Sequence, residues 1–309
     1  MERSRRQKKA KGDAAAQQWK GNTFGTERML RWLIVVLRHS PVTIWYAFAA
    51  VFVVPFCLVF SPGAHCAYRY FRRRWHAGRL RAVWQTYVNH VYFSQVVIDK
   101  FALYAGKRLG LKVEGYDAFK QLAARPEGFV MLSAHIGCFE MAGYELVSDR
   151  KPFNALVYGG EKSTVMAGRQ QVFEATNIHM IPTSNDMSHL FAIDRALSSG
   201  EIVSIAADRV FGSPRTVTVS LLGQTADLPQ GPFAVPAMRG LSVIAVNVMK
   251  TSLHGYTAYV TPLDYDRQAP RKQQIRQLAD AYAAELDHLL HRYPAQWYNY
   301  FDFWKEDQH

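Results

Sequence analysis

"FVMLSAHIGCFEMAG", residues 129–143, decides how this chain is read. The apolar run from Phe129 to Leu132 ends in the small residues Ser133 and Ala134, and His135, Gly137 and Glu140 follow before the chain turns amphipathic. A short apolar run closed by small residues predicts a buried strand, and the amphipathic stretch predicts a helix. His135 therefore stands at a strand-to-helix turn, where open α/β sheets bind their ligands. His135 and Glu140 do not share a helical face, so they meet only if the chain turns between them, which Gly137 permits. Glu140 would then accept the imidazole N–H and fix the tautomer, leaving the opposite nitrogen to take a proton from a hydroxyl. The spacing alone favours the plainer reading, a helix-start histidine bonded to backbone and a surface acid.

Outward from this stretch, the pattern repeats. Further strand candidates are "NALVY" (154–158), "IVSIAA" (202–207), "TVTVSLL" (216–222), "LSVIAVNVM" (241–249) and "YTAYVTP" (256–262). They are rich in β-branched and aromatic residues. Helices are expected at 139–148, 162–176 and 186–199, and a long one from about 271 to 291 keeps Ile275, Leu278, Tyr282, Leu286 and Leu289 on one face. Residues 76–108 read as one or two helices with Val83, Tyr87 and Val91 aligned. Alternating strands and helices define an α/β domain.

The N-terminal quarter differs. Residues 1–20 form a basic tail expected to be disordered, residues 21–75 a membrane-associated helical anchor, and residues 76–309 the catalytic domain. "VTIWYAFAAVFVVPFCLVF" (42–60) carries no charge and reaches about the length of a bilayer span. Pro55 is expected to kink it. Arginines flank it on both sides, so a single span, an interfacial helix and a buried core helix all remain open. "TERMLRWLIVVLRH" before it spaces Arg28, Arg31 and Arg38 as an interfacial helix would.

The net charge of +12 calls for an anionic partner. Basic clusters at Arg3–Lys11 and Arg69–Arg81, on either side of the apolar run, favour an anionic lipid surface over nucleic acid. Cys57, Cys66 and Cys138 have no CxxC spacing, and His135 with Cys138 supplies only two ligands, so neither a disulfide framework nor a metal site is expected.

Several blocks in order resemble the lysophospholipid acyltransferase superfamily, and within it the bacterial lipid A late acyltransferases. "SAHIGCFEMAG" resembles the catalytic His-x4-Glu block. "SSGEIVSIAADRVFG" resembles the segment leading to an Asp-Gln pair, here Asp208-Arg209. "LLGQTADLPQGPFAVPAMRGLSVIAV" resembles the block with a small-residue turn, here Gln230-Gly231, and "RYPAQWYNYFDFW" the Pro-x-Gln-aromatic ending. The resemblance implies a mixed sheet flanked by helices. It also implies an O-acyltransferase in which His135 is the base and Glu140 its partner, with Asp208, Arg209, Gly212, Gln230 and Gly231 at the substrate. The implied donor is an acyl thioester of acyl carrier protein or coenzyme A, and the implied acceptor a lipid hydroxyl. No metal or other cofactor is implied. The place of action would be the cytoplasmic face of a bacterial inner membrane.

Three alternatives fit the sequence less well. Ser133 suggests an esterase or thioesterase, yet no G-x-S-x-G elbow occurs in the chain. "DYD" (264–266) suggests a metal-dependent glycosyltransferase but reads better as a polar loop. A non-catalytic membrane scaffold gives no reason for His135 and Glu140 at the mouth of a sheet.

Overall fold

The computed structural model describes residues 27–304 apart from 139–140, 142–145, 147–150, 161–165, 168, 171–177, 184–185, 187 and 211–214. The basic tail (1–20), Glu140, Gly212 and most of the helices expected at 139–148 and 162–176 lie outside the described residues.

Seven strands form one sheet in the order β1-β9-β8-β2-β5-β3-β4. They are β1 (Gly110–Glu114), β2 (Phe129–Ser133), β3 (Phe153–Val157), β4 (Ile178–Pro182), β5 (Ile202–Ala206), β8 (Val243–Ser252) and β9 (Gly255–Pro262). All neighbours are parallel except β8 and β9, which form an antiparallel hairpin. The sheet is therefore mixed, as expected. β6 (Thr216–Leu221) and β7 (Gln224–Pro229) form a separate two-stranded ribbon. The strand expected at 216–222 thus exists but does not join the main sheet.

Every residue of β2 is buried, as a central parallel strand covered on both faces requires. Val130 and Leu132 face a core shared with the helices Ser188–Ser198 (α6), Gly231–Arg239 (α7) and Arg271–Arg292 (α8). Phe129 and Met131 face the opposite core, with Phe119 of the helix Tyr116–Ala123 (α5). The alternation follows from the period of two along a strand.

Before the sheet come helices α1 (Glu27–His39), α2 (Val42–Phe60), α3 (Pro62–Arg73) and α4 (Arg79–Tyr104). Helix α2 passes through Pro55 without ending, because a π-helical stretch at Ala49–Val53 widens the turn just before it. Ser61 caps α3 by accepting from Gly63 N at 3.3 Å, with Pro62 in the first turn.

One face of α2, carrying Val42, Tyr46, Ala49 and Val54, is buried. A polar cluster fastens it to the domain. Asp99 of α4 pairs with Lys250 of β8 at 2.7 Å and accepts from the hydroxyls of Tyr46 and Tyr256. The ammonium also lies over both tyrosine rings, 5.0 and 4.7 Å from their centroids. The Asp99 and Lys250 side chains are 0% and 2% exposed, so each charge depends on the other for its compensation. Asp99→Ala should therefore lower unfolding free energy by about 3–5 kcal/mol. Denaturant titration in mild detergent measures this, and an unchanged midpoint would show that the pair contributes nothing.

Candidate active site

His135 and Asp208 meet because of strand register. β2 and β5 pair from Phe129 with Ile202 to Ser133 with Ala206. The same offset of 73 residues sets His135 opposite Asp208, each two residues beyond its strand end. His135 Nδ1 lies 2.7 Å from Asp208 Oδ1, and its backbone N–H donates to Oδ2 at 3.0 Å. One carboxylate thus fixes both the backbone and the ring of the histidine.

The Asp208 side chain is fully buried, while that of His135 is 21% exposed. The acid is inside and the imidazole at the mouth. Burial raises the Asp208 pKa, but the His135 charge and its hydrogen bonds outweigh this and bring it to about 2. Asp208 is therefore ionised and can only accept, so the ring proton sits on Nδ1 and Nε2 is the basic nitrogen. Because its folded value is depressed, the stability it contributes is complete above its ordinary value of 3.8 and is lost as pH falls through about 2.

The turn around His135 is held on three sides. Ala134 N–H donates to Asn247 Oδ1 at 3.2 Å, and Ser133 O accepts from Tyr282 of α8 at 2.7 Å. Gly137 has φ +53, and a Cβ there would lie 2.0 Å from Val248 O. The glycine expected to ease the turn is thus required both for its left-handed backbone and for close packing on β8. From the other side the C-terminal segment comes in. Gly137 N–H donates to Gln296 O at 2.9 Å and Tyr298 N–H to His135 O at 3.2 Å.

The expected site residues separate into groups. His135, Asp208 and Arg209 are brought together. Asp208 lies against Nδ1 of the imidazole; Glu140, expected as the partner of His135, lies outside the described residues, as does Gly212. Arg209 turns to the C-terminal segment, donating from Nε to Asn299 Oδ1 at 3.0 Å and from its terminal nitrogen to Tyr298 O at 3.1 Å. Gln230 and Gly231 open α7, and neither is hydrogen-bonded to His135 or Asp208. Asn299, which no motif flagged, donates to Asp208 Oδ2 at 3.3 Å. Its one visible signal is that it is the amide within an aromatic run, "WYNYF".

The family model for bacterial lipid A biosynthesis acyltransferases matches residues 98–306, a span that holds the sheet, His135 and the C-terminal segment. The chain belongs to this family and is an acyltransferase, as its ordered sequence blocks suggested. No curated protein matches it by sequence. Among solved structures it is similar to the 1-acyl-sn-glycerophosphate (LPA) acyltransferase PlsC from Thermotoga maritima. That likeness has 13% identity and a TM-score of 0.38, over 88% of this chain and 99% of that one, and carries no functional weight.

Two substitutions probe the geometry. Asp208→Asn should keep the fold but offer Nδ1 an amide in place of a carboxylate, lowering turnover by roughly 1,000-fold or more; wild-type turnover would remove Asp208 from the site. Gly137→Ala should lower both the melting midpoint and activity, since the backbone of β8 has to move. An unchanged midpoint would show that the turn can relax.

Proposed function

We propose that the protein is a membrane-associated O-acyltransferase that moves a fatty acyl chain from an acyl thioester to a hydroxyl of a lipid acceptor. The observation that carries this reading is the His135–Asp208 bond at the open ends of β2 and β5, in a chain of the acyltransferase family. His135 Nε2 takes the proton of the acceptor hydroxyl while Asp208 stabilises the imidazolium that forms. The acceptor oxygen attacks the thioester carbonyl, a C–O bond forms and the C–S bond breaks. The imidazolium then returns its proton to the departing thiolate. Backbone N–H groups of the turn after His135 are the natural donors to the transient oxyanion. Glu140, the partner carboxylate of the family motif by resemblance, is proposed to act on the same histidine. The chemistry requires no covalent enzyme intermediate.

The donor is proposed to be an acyl carrier protein, an acidic partner suited to a chain of net charge +12, with coenzyme A thioester as the alternative. The proposed place of action is the cytoplasmic face of a bacterial inner membrane. Support for membrane binding comes from α1 and α2. The outer face of α2 presents Ile44, Phe48, Phe52, Phe56, Val59 and Phe60, all exposed. Trp45 keeps its indole N–H satisfied within the helix pair, donating to Ser40 Oγ at 2.7 Å. Such a face suits hydrocarbon, which offers no partner for a polar group. Because the opposite face is tied down through Tyr46 and through Tyr87 Oη, which donates to Ala50 O at 3.2 Å, the helix lies along the domain. That favours interfacial insertion over a span.

Acyl transfer from labelled acyl carrier protein carrying mixed chain lengths into a total bacterial lipid extract tests the reading. The wild type should label a lipid, and His135→Ala should lose at least about 100-fold of that activity. Release of free fatty acid in place of a labelled lipid would contradict the proposal and favour a hydrolase.

A further inference from the structure

The geometry points to Asn299 as a positioning residue for catalysis: its amide holds the Asp208 carboxylate in place against His135 while anchoring itself on Arg209. This rests on the reading of His135 and Asp208 as the proton-transfer pair.

The side chain has an acceptor end and a donor end, and the site needs both. A guanidinium can only donate, so the oxygen of Asn299 must face Arg209 Nε, which it meets at 3.0 Å. An ionised carboxylate can only accept, so the nitrogen must face Asp208 Oδ2, at 3.3 Å. Its neighbours therefore fix the orientation of the amide. Oδ2 of Asp208 accepts from Asn299 and from the His135 backbone N–H, leaving Oδ1 to the ring. Without the Asn299 donor the carboxylate keeps only its two bonds to His135, so nothing outside the histidine fixes its rotation about the Cβ–Cγ bond, and the direction it gives the ring loosens. Aspartate at this position would still accept from Arg209. Toward Asp208, however, it would present a second negative charge, which repels where the amide donates.

Asn299 is not needed to keep the C-terminal segment in place. Asn89 of α4 donates to Ala295 O at 3.0 Å and to Trp297 O at 2.9 Å, and accepts from Tyr300 Oη at 3.0 Å. Trp304 Nε1 donates to Leu221 O at 3.1 Å, and Asp302 pairs with Arg69. With so many other ties, an exchange at 299 should leave the fold intact and act on the carboxylate.

The test compares Asn299→Asp and Asn299→Ala with the wild type, alone and combined with Asp208→Asn. Full-length protein is assayed with labelled acyl carrier protein and lipid extract. Asn299→Asp should lower kcat roughly 10–100-fold, about what one hydrogen bond to a charged group provides, with KM and melting midpoint unchanged. In the Asp208→Asn background the exchange should have no further effect, because the group it positions is already gone. Wild-type kcat in Asn299→Asp, beside an inactive His135→Ala, would overturn the role of Asn299 alone. Loss of kcat that follows a fallen midpoint in both variants would also overturn it, since a structural tie would then suffice. Wild-type turnover in His135→Ala would overturn the site itself.

Discussion

The parallel register between β2 and β5 is the constraint on which the site depends. It makes the ends of two strands that are far apart in sequence into neighbours, and so brings a buried acid to a partly exposed imidazole. The charge of Asp208 is tolerable inside because three donors converge on it: the His135 ring, the His135 backbone and Asn299. An ionised, immobile carboxylate in turn gives the histidine a defined tautomer.

The site is also tied to the apolar helix α2 through one continuous set of contacts. Gln296 uses both ends of its amide to pair with the backbone of Lys250, accepting from N–H and donating to O, each at 2.8 Å. Its own carbonyl takes Gly137 N–H, in the turn after His135. The Lys250 side chain meanwhile holds Asp99, and Asp99 holds Tyr46 of α2. Thus the glutamine of the Pro-x-Gln ending links β8 to the His135 loop, and the strand it grips also secures the apolar helix. In such an arrangement the mouth of the site keeps a fixed position relative to the exposed apolar side chains of α2.

Much of the fold was legible in sequence because apolar runs with β-branched residues mark central strands well. "FVMLS", "IVSIA" and "VIAVNVM" fall within β2, β5 and β8. β1, β4 and β7 were missed for a physical reason: "GLKVE" and "IHMIP" lie at the two sheet edges and "QTADLP" in an outlying ribbon, where polar residues and proline are tolerated. His135 could be singled out from its place after a strand. Its contact with Asp208 could not, because register between strands with 73 residues between equivalent positions is a tertiary fact that no local spacing shows. Asn299 was invisible for the same reason. Its role exists only once the C-terminal segment lies against the ends of β2 and β5.

The most direct measurement of the central claim is the ring N–H proton of His135, observed by nuclear magnetic resonance in full-length protein carrying isotope-labelled histidine. Among the 11 histidines, the His135 signal is identified by its loss in His135→Ala. A hydrogen bond from Nδ1 to a buried carboxylate moves that proton far downfield and protects it from exchange. The account predicts that the downfield signal is present in the wild type, persists in Glu140→Gln and disappears in Asp208→Asn. A signal that survives in Asp208→Asn and is lost in Glu140→Gln would contradict it, and would return the histidine to the acid five residues along the chain.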